Sequence, residues 1–555
     1  MAETKITRRA FVGGTLAASS LAALAACGKK GGTEAGSGST GSTGGTINFY
    51  INNPVCIDPY NVQEDQGTQV EFQLFDSLTT YDYNENKLVG LAAEKWESND
   101  DATEFTFTIK DAKFHNGDTV TSEDFKRSFT RLVNPKSAVA TAYAPGEIGY
   151  HLSMVEGYDA LSNGDTDEFS GVTCPDDKTL VVKLSSAYAD FPYVCSHPAL
   201  APVPAAAEED AKNFYLAPIG NGAFKMDGKW EDGQEINLVR FDDYYGEKAK
   251  LDGIHFQILK DVETAYKEFQ AGNLDIVDVP VAQIDAAKAD RGEAEYEMSE
   301  GHHLLLGSEP STYYLVVNNK DEQFSNPDLR KGVSLAINRE AICKSIFKGT
   351  RTPADGIVPP GIDGYREGAW EFSKYDVDLA NEYLDKVSPM SGDSRGISLT
   401  LSYNQDGGHK EIMESVIGDL AKVGIEVTSD TPEWSALLQQ YLAGNFQFGR
   451  LGWIADYPIM DNFLYPLFHS DSIGGDNKSF YSNAEVDKEI EEARTTVDAE
   501  QRIKMMQDAD SKIAADSPVI PLMFYTHVTA GSDRVKSFYM DPQKKADLAS
   551  AELTA

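Results

Sequence analysis

Basic residues are scarce in this 555-residue chain, with 49 Lys plus Arg against 88 Asp plus Glu and a formal charge of −39. That shortage excludes sequence-independent nucleic-acid binding, which depends on Lys and Arg neutralising phosphates. It equally excludes docking a broad face onto anionic lipid. Cysteine is sparse too, at five residues, so no disulfide framework organises the fold. Cys174 and Cys195 could form one bridge, whereas Cys56 and Cys343 read as small buried apolar residues. Nine His occur with no HExxH and no CxxC spacing, so no zinc motif is present. The adjacent His302 and His303 would face opposite sides of a strand and could not share a metal. No P-loop or dinucleotide fingerprint is found, and no cofactor is expected.

Long apolar runs are also missing. Near the start, an uncharged stretch from Val12 to Ala26 is 15 residues, about 22 Å as a helix against a bilayer core of about 30 Å. Lys5, Arg8 and Arg9 precede it, the order of an export signal. The Arg8-Arg9 pair leaves both the twin-arginine and the general secretory route open. Leu24-Ala25-Ala26-Cys27 has the form of a bacterial lipobox, so residues 1–26 would be removed and Cys27 would carry a diacylglycerol. Residues 28–45 are mostly Gly, Ser and Thr, a flexible leash with a span of about 20–25 Å. Together these predict an exported protein, lipid-anchored on the outer face of the cytoplasmic membrane. The acidic surplus then reads as solubility outside the cell.

Beyond Gly45 the chain is rich in short apolar runs. FTFTI (105–109), TLVVKL (179–184) and INLVRF (236–241) alternate as strands do. Ser122 is placed to cap a helix carrying Phe125, Phe129 and Leu132, which Pro135 limits. Asn326-Pro327 and Asp498 open two further helices. SLTLSY (398–403), GIEVTS (424–429) and FQFGRLGW (446–453) read as strands separated by helices near 409–422 and 433–443. That βαβαβ order predicts a mostly parallel sheet in an α/β lobe at about 300–520.

Two motifs mimic other chemistry. DYNENK (82–87) begins like a calcium loop but has Lys87 where Gly is needed and Ala93 where Glu is needed. GDSRG (392–396) matches G-x-S-x-G around Ser394, yet a helix precedes it and a strand comes after, the reverse of a nucleophile elbow.

Taken in order, several segments resemble the peptide-binding extracellular solute receptors of bacterial ABC importers. They are LAAEKWESNDDATEFTFTIKDAKFHNGDTVTSEDFKRSFTRLVNPKS (91–137), PIGNGAFKM (218–226), VRFDDYY (239–245) and FQAGNLDIVD (269–278). NPDLRKGVSLAINRE (326–340), IVPPG (357–361), GWIADYPIMDNF (452–463) and DSPVIPL (516–522) continue the series. The resemblance implies an α/β fold of two lobes closing as a clamp. Lobe I would comprise 46–80, 200–300 and 520–555, a satellite domain 81–199, and lobe II 301–519. It implies short peptides as ligands, a membrane permease and ATPase as partners, a monomer, and no catalysis.

Within FGRLGWIAD (448–456), alternation sends Arg450, Gly452, Ile454 and Asp456 to one face, and Trp453 to the other. A peptide added as a strand would take backbone bonds there, with Gly452 allowing close approach. By the resemblance, Asp456 holds the peptide ammonium, while Arg450 and His409 stand near positions that engage its carboxylate. Ile454 replaces a frequent Cys, and Tyr143 could reach the N-terminal end. Residue types alone leave Asp456 as a loop cap, Arg450 as an interlobe ion pair and His409 as a solvated helix-start residue. Competing ligands are a metallophore, haem, a sugar or a small cationic solute. A serine hydrolase built on Ser394, or an adhesive surface lipoprotein, are readings from other classes.

Overall fold

The computed structural model describes residues 44–62, 65–144, 146, 148–231, 233–404 and 408–554. The export segment 1–26 with Arg8 and Arg9, Cys27, and the leash up to residue 43 lie outside the described residues. Among those described, no helix is long and apolar enough to cross a membrane.

The chain enters through β1 (Thr46–Ile51), whose Ile47, Phe49 and Ile51 are buried. It then leaves the main sheet to build a four-stranded antiparallel one from β2 (Ala93–Ser98), β3 (Glu104–Ile109), β4 (Val172–Asp176) and β5 (Thr179–Lys183), ordered β2-β3-β5-β4. Phe105, Phe107 and Ile109 of β3 point inward against Phe125, Phe129 and Leu132 of α1 (Ser122–Val133), so the two periodicities meet in one core. The α1 cap is Thr121 rather than Ser122. The Asp124 carboxylate accepts from the Thr121 N–H at 2.8 Å and from its hydroxyl at 2.9 Å, and Ser122 is the first helical residue.

The chain returns as β6 (Phe224–Met226), β7 (Ile236–Arg240), β8 (Gly253–Ile258) and β9 (Ile276–Asp278), then runs into the 14-residue β10 (Leu304–Val317). After α2 (Pro327–Ala336), capped by Asn326, come β11 (Ile397–Ser402), α3 (Lys410–Lys422), β12 (Ile425–Asp430), α4 (Trp434–Ala443) and β13 (Phe448–Ile454). β11 pairs in parallel with both β12 and β13, as the βαβαβ pattern requires. Helices α5 (Asp461–Phe468), α6 (Ala484–Arg494) and α7 (Ala499–Asp516), the last capped by Asp498, lead to β14 (Val519–Gly531).

Among the described residues the main sheet has twelve strands, with the order β12-β11-β13-β10-β14-β9-β1-β8-β7-β6 along its path. Its central ladder, β10 with β14, enters the cores at both ends of the body. Leu305 joins a core with Ile47, Phe256 and Val535. Leu315 and Ile520 join another with Leu399, Val416 and Phe448. Between these ends the register slips between Ser308 and Thr312, a bulge that bends the strand. The result is a two-lobed mixed α/β body.

Cys56, Cys174, Cys195 and Cys343 are all free thiols, so the Cys174–Cys195 bridge does not form. Cys195 is instead packed in the satellite core, with Cys174 against it from the sheet. Asp82 closes a turn between two strands, accepting from the N–H groups of Asn84 and Glu85.

Candidate functional site

β13 is paired on one side along its whole length with β10, from Val317↔Phe448 to Ser311↔Ile454. On the other side β11 reaches only Phe448 and Gly449. The Tyr441 hydroxyl closes the fork where the strands part, bonding the carbonyls of Ser402 at 3.0 Å and Arg450 at 3.1 Å. Beyond it, no described strand covers this edge through Ile454. Leu451 and Trp453 pack into the core beneath, which leaves Arg450, Gly452 and Ile454 on the opposite face. Ile454 is 47 % exposed.

Asp456 stands just past the end of the strand, and Asn462 in the first turn of α5 fixes it. The Asn462 Oδ1 accepts the Asp456 N–H at 2.9 Å, and its Nδ2 donates to the Asp456 Oδ2 at 2.8 Å. The other carboxylate oxygen faces Nε2 of His197 at 3.9 Å. Burial raises the Asp456 carboxyl, with His197 and the Asn462 bond acting against it. Among the described residues no Lys or Arg pairs with this acid. The Asp456 side chain is 25 % exposed, and holding its charge this far from water favours a cation beside it.

His151, His197 and Asp456 place one ligand atom each within 4.8 Å of one another. The His197 Nδ1 accepts the Ala199 N–H at 3.1 Å, which assigns its proton to Nε2. That ring therefore offers an N–H, not a lone pair, toward Asp456, and the trio does not fit a three-ligand metal site. Burial pushes His197 down to about 3 and His151 to about 4, so both are neutral at pH 7. His469, Asp471 and Glu491 form a second trio with the same flaw, since the His469 Nδ1 accepts the Asp471 N–H at 3.2 Å. His302 and His303 belong to neither.

Cations gather about the other end of the strand. Arg450 donates from Nε to Asn404 at 2.7 Å and lies 4.5 Å over the Trp434 ring. Arg351 lies over Phe347 at 4.1 Å and over Tyr525 at 4.4 Å. Neither guanidinium has an acidic partner among the described residues, and no interlobe ion pair of Arg450 is found among them. Their fields converge: both lower the phenols of Tyr313 and Tyr525 against the dominant effect of burial. His409 is not solvated but 9 % exposed, with Nδ1 3.0 Å from the Tyr313 hydroxyl. Burial, then Arg450 and Arg351, push it down to about 3. A Cβ on Gly452 would lie 2.8 Å from the Tyr525 hydroxyl, so the missing side chain admits this tyrosine onto the strand.

Tyr143 is engaged by other residues. Its ring stacks on Tyr215 at 3.9 Å and its hydroxyl meets the Lys212 carbonyl at 3.4 Å. Ser394 lies on an exposed loop between a helix ending at Val387 and β11, where its Oγ accepts the Gly396 N–H at 3.0 Å. His197, His151, Arg351 and Tyr525 escaped the sequence reading because they come from distant segments, and Asn462, only six residues past Asp456, because nothing in the sequence shows the turn that brings it back.

A family model described as bacterial extracellular solute-binding proteins, family 5 middle, matches residues 87–475. The chain is 28 % identical over 531 residues to the dipeptide-binding protein DppE of Bacillus subtilis, covering 93 % of this chain and 94 % of that one. Haemophilus influenzae OppA, solved in complex with RPPGFSPFR, superposes with a TM-score of 0.76 at 26 % identity, covering 92 % of this chain and 99 % of that one. The Escherichia coli murein tripeptide binding protein MppA has the same fold, with a TM-score of 0.79 at 23 % identity and coverage of 93 % and 100 %.

Proposed function

Because the chain belongs to family 5 of the bacterial extracellular solute-binding proteins, we propose that it captures short peptides along the open edge of β13 for an ABC importer. The observation that carries this reading is the polarity of that edge. Asp456, with no Lys or Arg partner among the described residues, stands past one end, and Arg351 and Arg450, with no acidic partner among them, lie toward the other. A peptide in extended form has an ammonium and a carboxylate at its two ends. From Arg450 to Asp456 the chain spans at most about 20 Å, the scale of a few peptide residues. Backbone bonds along the edge would be indifferent to side chains and would serve many sequences.

Binding favours the closed arrangement of the lobes in proportion to its differential contacts there. A permease would then accept the loaded clamp, with ATP hydrolysis on separate subunits. In this reading lobe I comprises 46–80, 200–300 and 520–555, the satellite 81–199, and lobe II 301–519. Cys27 carries the lipid anchor, Arg8-Arg9 belongs to the export signal, and the protein works as a monomer.

Calorimetric titration with a tripeptide in three forms tests this: free, N-acetylated and C-amidated. Each blocked form should bind at least about tenfold more weakly, the loss of one charge-assisted contact. Equal binding of all three forms would remove Asp456 and the two arginines from their roles.

A further inference from the structure

A chamber of about 670 Å³ lies between the satellite and helices α5 and α6. It shares two walls with the Asp456 site: Tyr457, the next residue in the chain, and His151, whose ring belongs to the Asp456 trio. A group held by Asp456 therefore has the chamber beside it.

The lining is strongly one-sided in charge. Asp159, Asp461, Asp471, Asp476 and Glu491 line it, against a single base, Arg494. That base is committed, 3.3 Å from Asp461 and sandwiched over Tyr188 at 4.5 Å and Tyr465 at 3.9 Å. Asp476 is matched by Lys478 at 3.3 Å. Among the described residues, Asp159, Asp471 and Glu491 have no Lys or Arg partner. Tyr150, Tyr158 and Tyr465 supply aromatic surface between them. An independent sign of a missing donor comes from His151. It is only 4 % exposed, yet no described residue hydrogen-bonds either ring nitrogen, although the ring stacks between Tyr150 and His197.

Resting on the peptide reading, we propose that this chamber receives the side chain of the peptide's first residue and selects a cationic one, lysine or arginine. An ammonium or guanidinium would find carboxylates for its charge, tyrosine faces for its quadrupole attraction, and the His151 lone pair for an N–H. A carboxylate side chain would meet like charge, and an aliphatic one would leave the acids unmatched.

The test is calorimetry with Lys-Ala-Ala, norleucine-Ala-Ala and Glu-Ala-Ala on the full chain. Lysine should bind about tenfold tighter than norleucine, with glutamate weakest, and the advantage should shrink at high salt. Combining Asp471→Asn with Glu491→Gln changes side chains that are 76 % and 60 % exposed, so folding should survive, as circular dichroism would check. In that variant the lysine advantage over norleucine should fall below about threefold. If the three peptides bind alike, the chamber's assignment falls and the peptide reading stands. If none binds, both fall.

Discussion

Asn462 holds Asp456 from two directions, with its amide oxygen on the Asp456 N–H and its amide nitrogen on the Asp456 carboxylate. Asn462 is itself fully buried and also accepts from the Trp453 indole at 3.3 Å. One side chain thus sets the direction in which the acid presents its free oxygen.

Asn462→Ala should cost about 1–3 kcal/mol of stability, since it leaves a buried N–H and a carboxylate oxygen unmatched. It should also weaken free-amine peptides by about tenfold while sparing N-acetylated ones. Chemical denaturation and calorimetry read the two effects separately.

Arg351→Gln should remove the preference for a free C-terminal carboxylate. We expect about a five- to tenfold loss for the free acid and little change for the amide. If the loss were the same for both peptides, Arg351 would be acting through its stack on Tyr525 rather than on the ligand.

Arg131 in α1 meets Asp58 through two bonds of 2.7 and 2.6 Å, with side chains 2 % and 0 % exposed. Arg131→Met would strand a buried carboxylate, so a loss of about 3–5 kcal/mol is expected. Adding Asp58→Leu to that variant should restore part of it, as a urea series would show.

His527 is 3 % exposed, and neither ring nitrogen has a hydrogen-bond partner among the described residues. Burial, then Lys544, push it down to about 3. The unfolded chain binds this proton near pH 6.5 and the folded one does not, so the residue's contribution is present above 6.5 and lost as pH falls. Relative to His527→Gln, the wild type should lose about 1.4 kcal/mol per pH unit between about pH 6 and 4. Glu309 has the opposite sign. Burial raises its carboxyl to about 6, so its contribution is present below 4.5 and lost as pH rises through 6. Glu309→Gln should therefore gain on the wild type above pH 6. Urea midpoints across pH 4–8 for both variants decide these slopes.

The sequence was most informative where one periodicity repeats locally. Phe105, Phe107 and Ile109 alternate, and β11 to β13 keep the βαβαβ order, because their partners lie within a few dozen residues. Asp456 and Arg450 stood out through a motif on one strand. The hidden contacts depended on long-range closure. His197 reaches Asp456 across more than 250 positions, and Arg351 reaches Tyr525 across more than 170. No local pattern encodes either approach. The cap of α1 was misplaced by one residue because Thr121 and Ser122 are equally suited by type, and only the Asp124 contacts distinguish them.

The bulged ladder of β10 and β14 also acts as a lever. Paired strands resist sliding past one another far more than they resist bending, so relative motion of the two cores should sweep an arc about the slip between Ser308 and Thr312. Points farther from that pivot travel farther for the same angle. The Asp190–Arg502 clasp, with bonds of 2.8 and 2.7 Å, joins the satellite to α7 and lies outside the ladder altogether. A small angular error at the fulcrum would part it before it disturbed the strand pairs. Loss of that clasp should therefore precede any loss of strand pairing if the two cores turn about the slip.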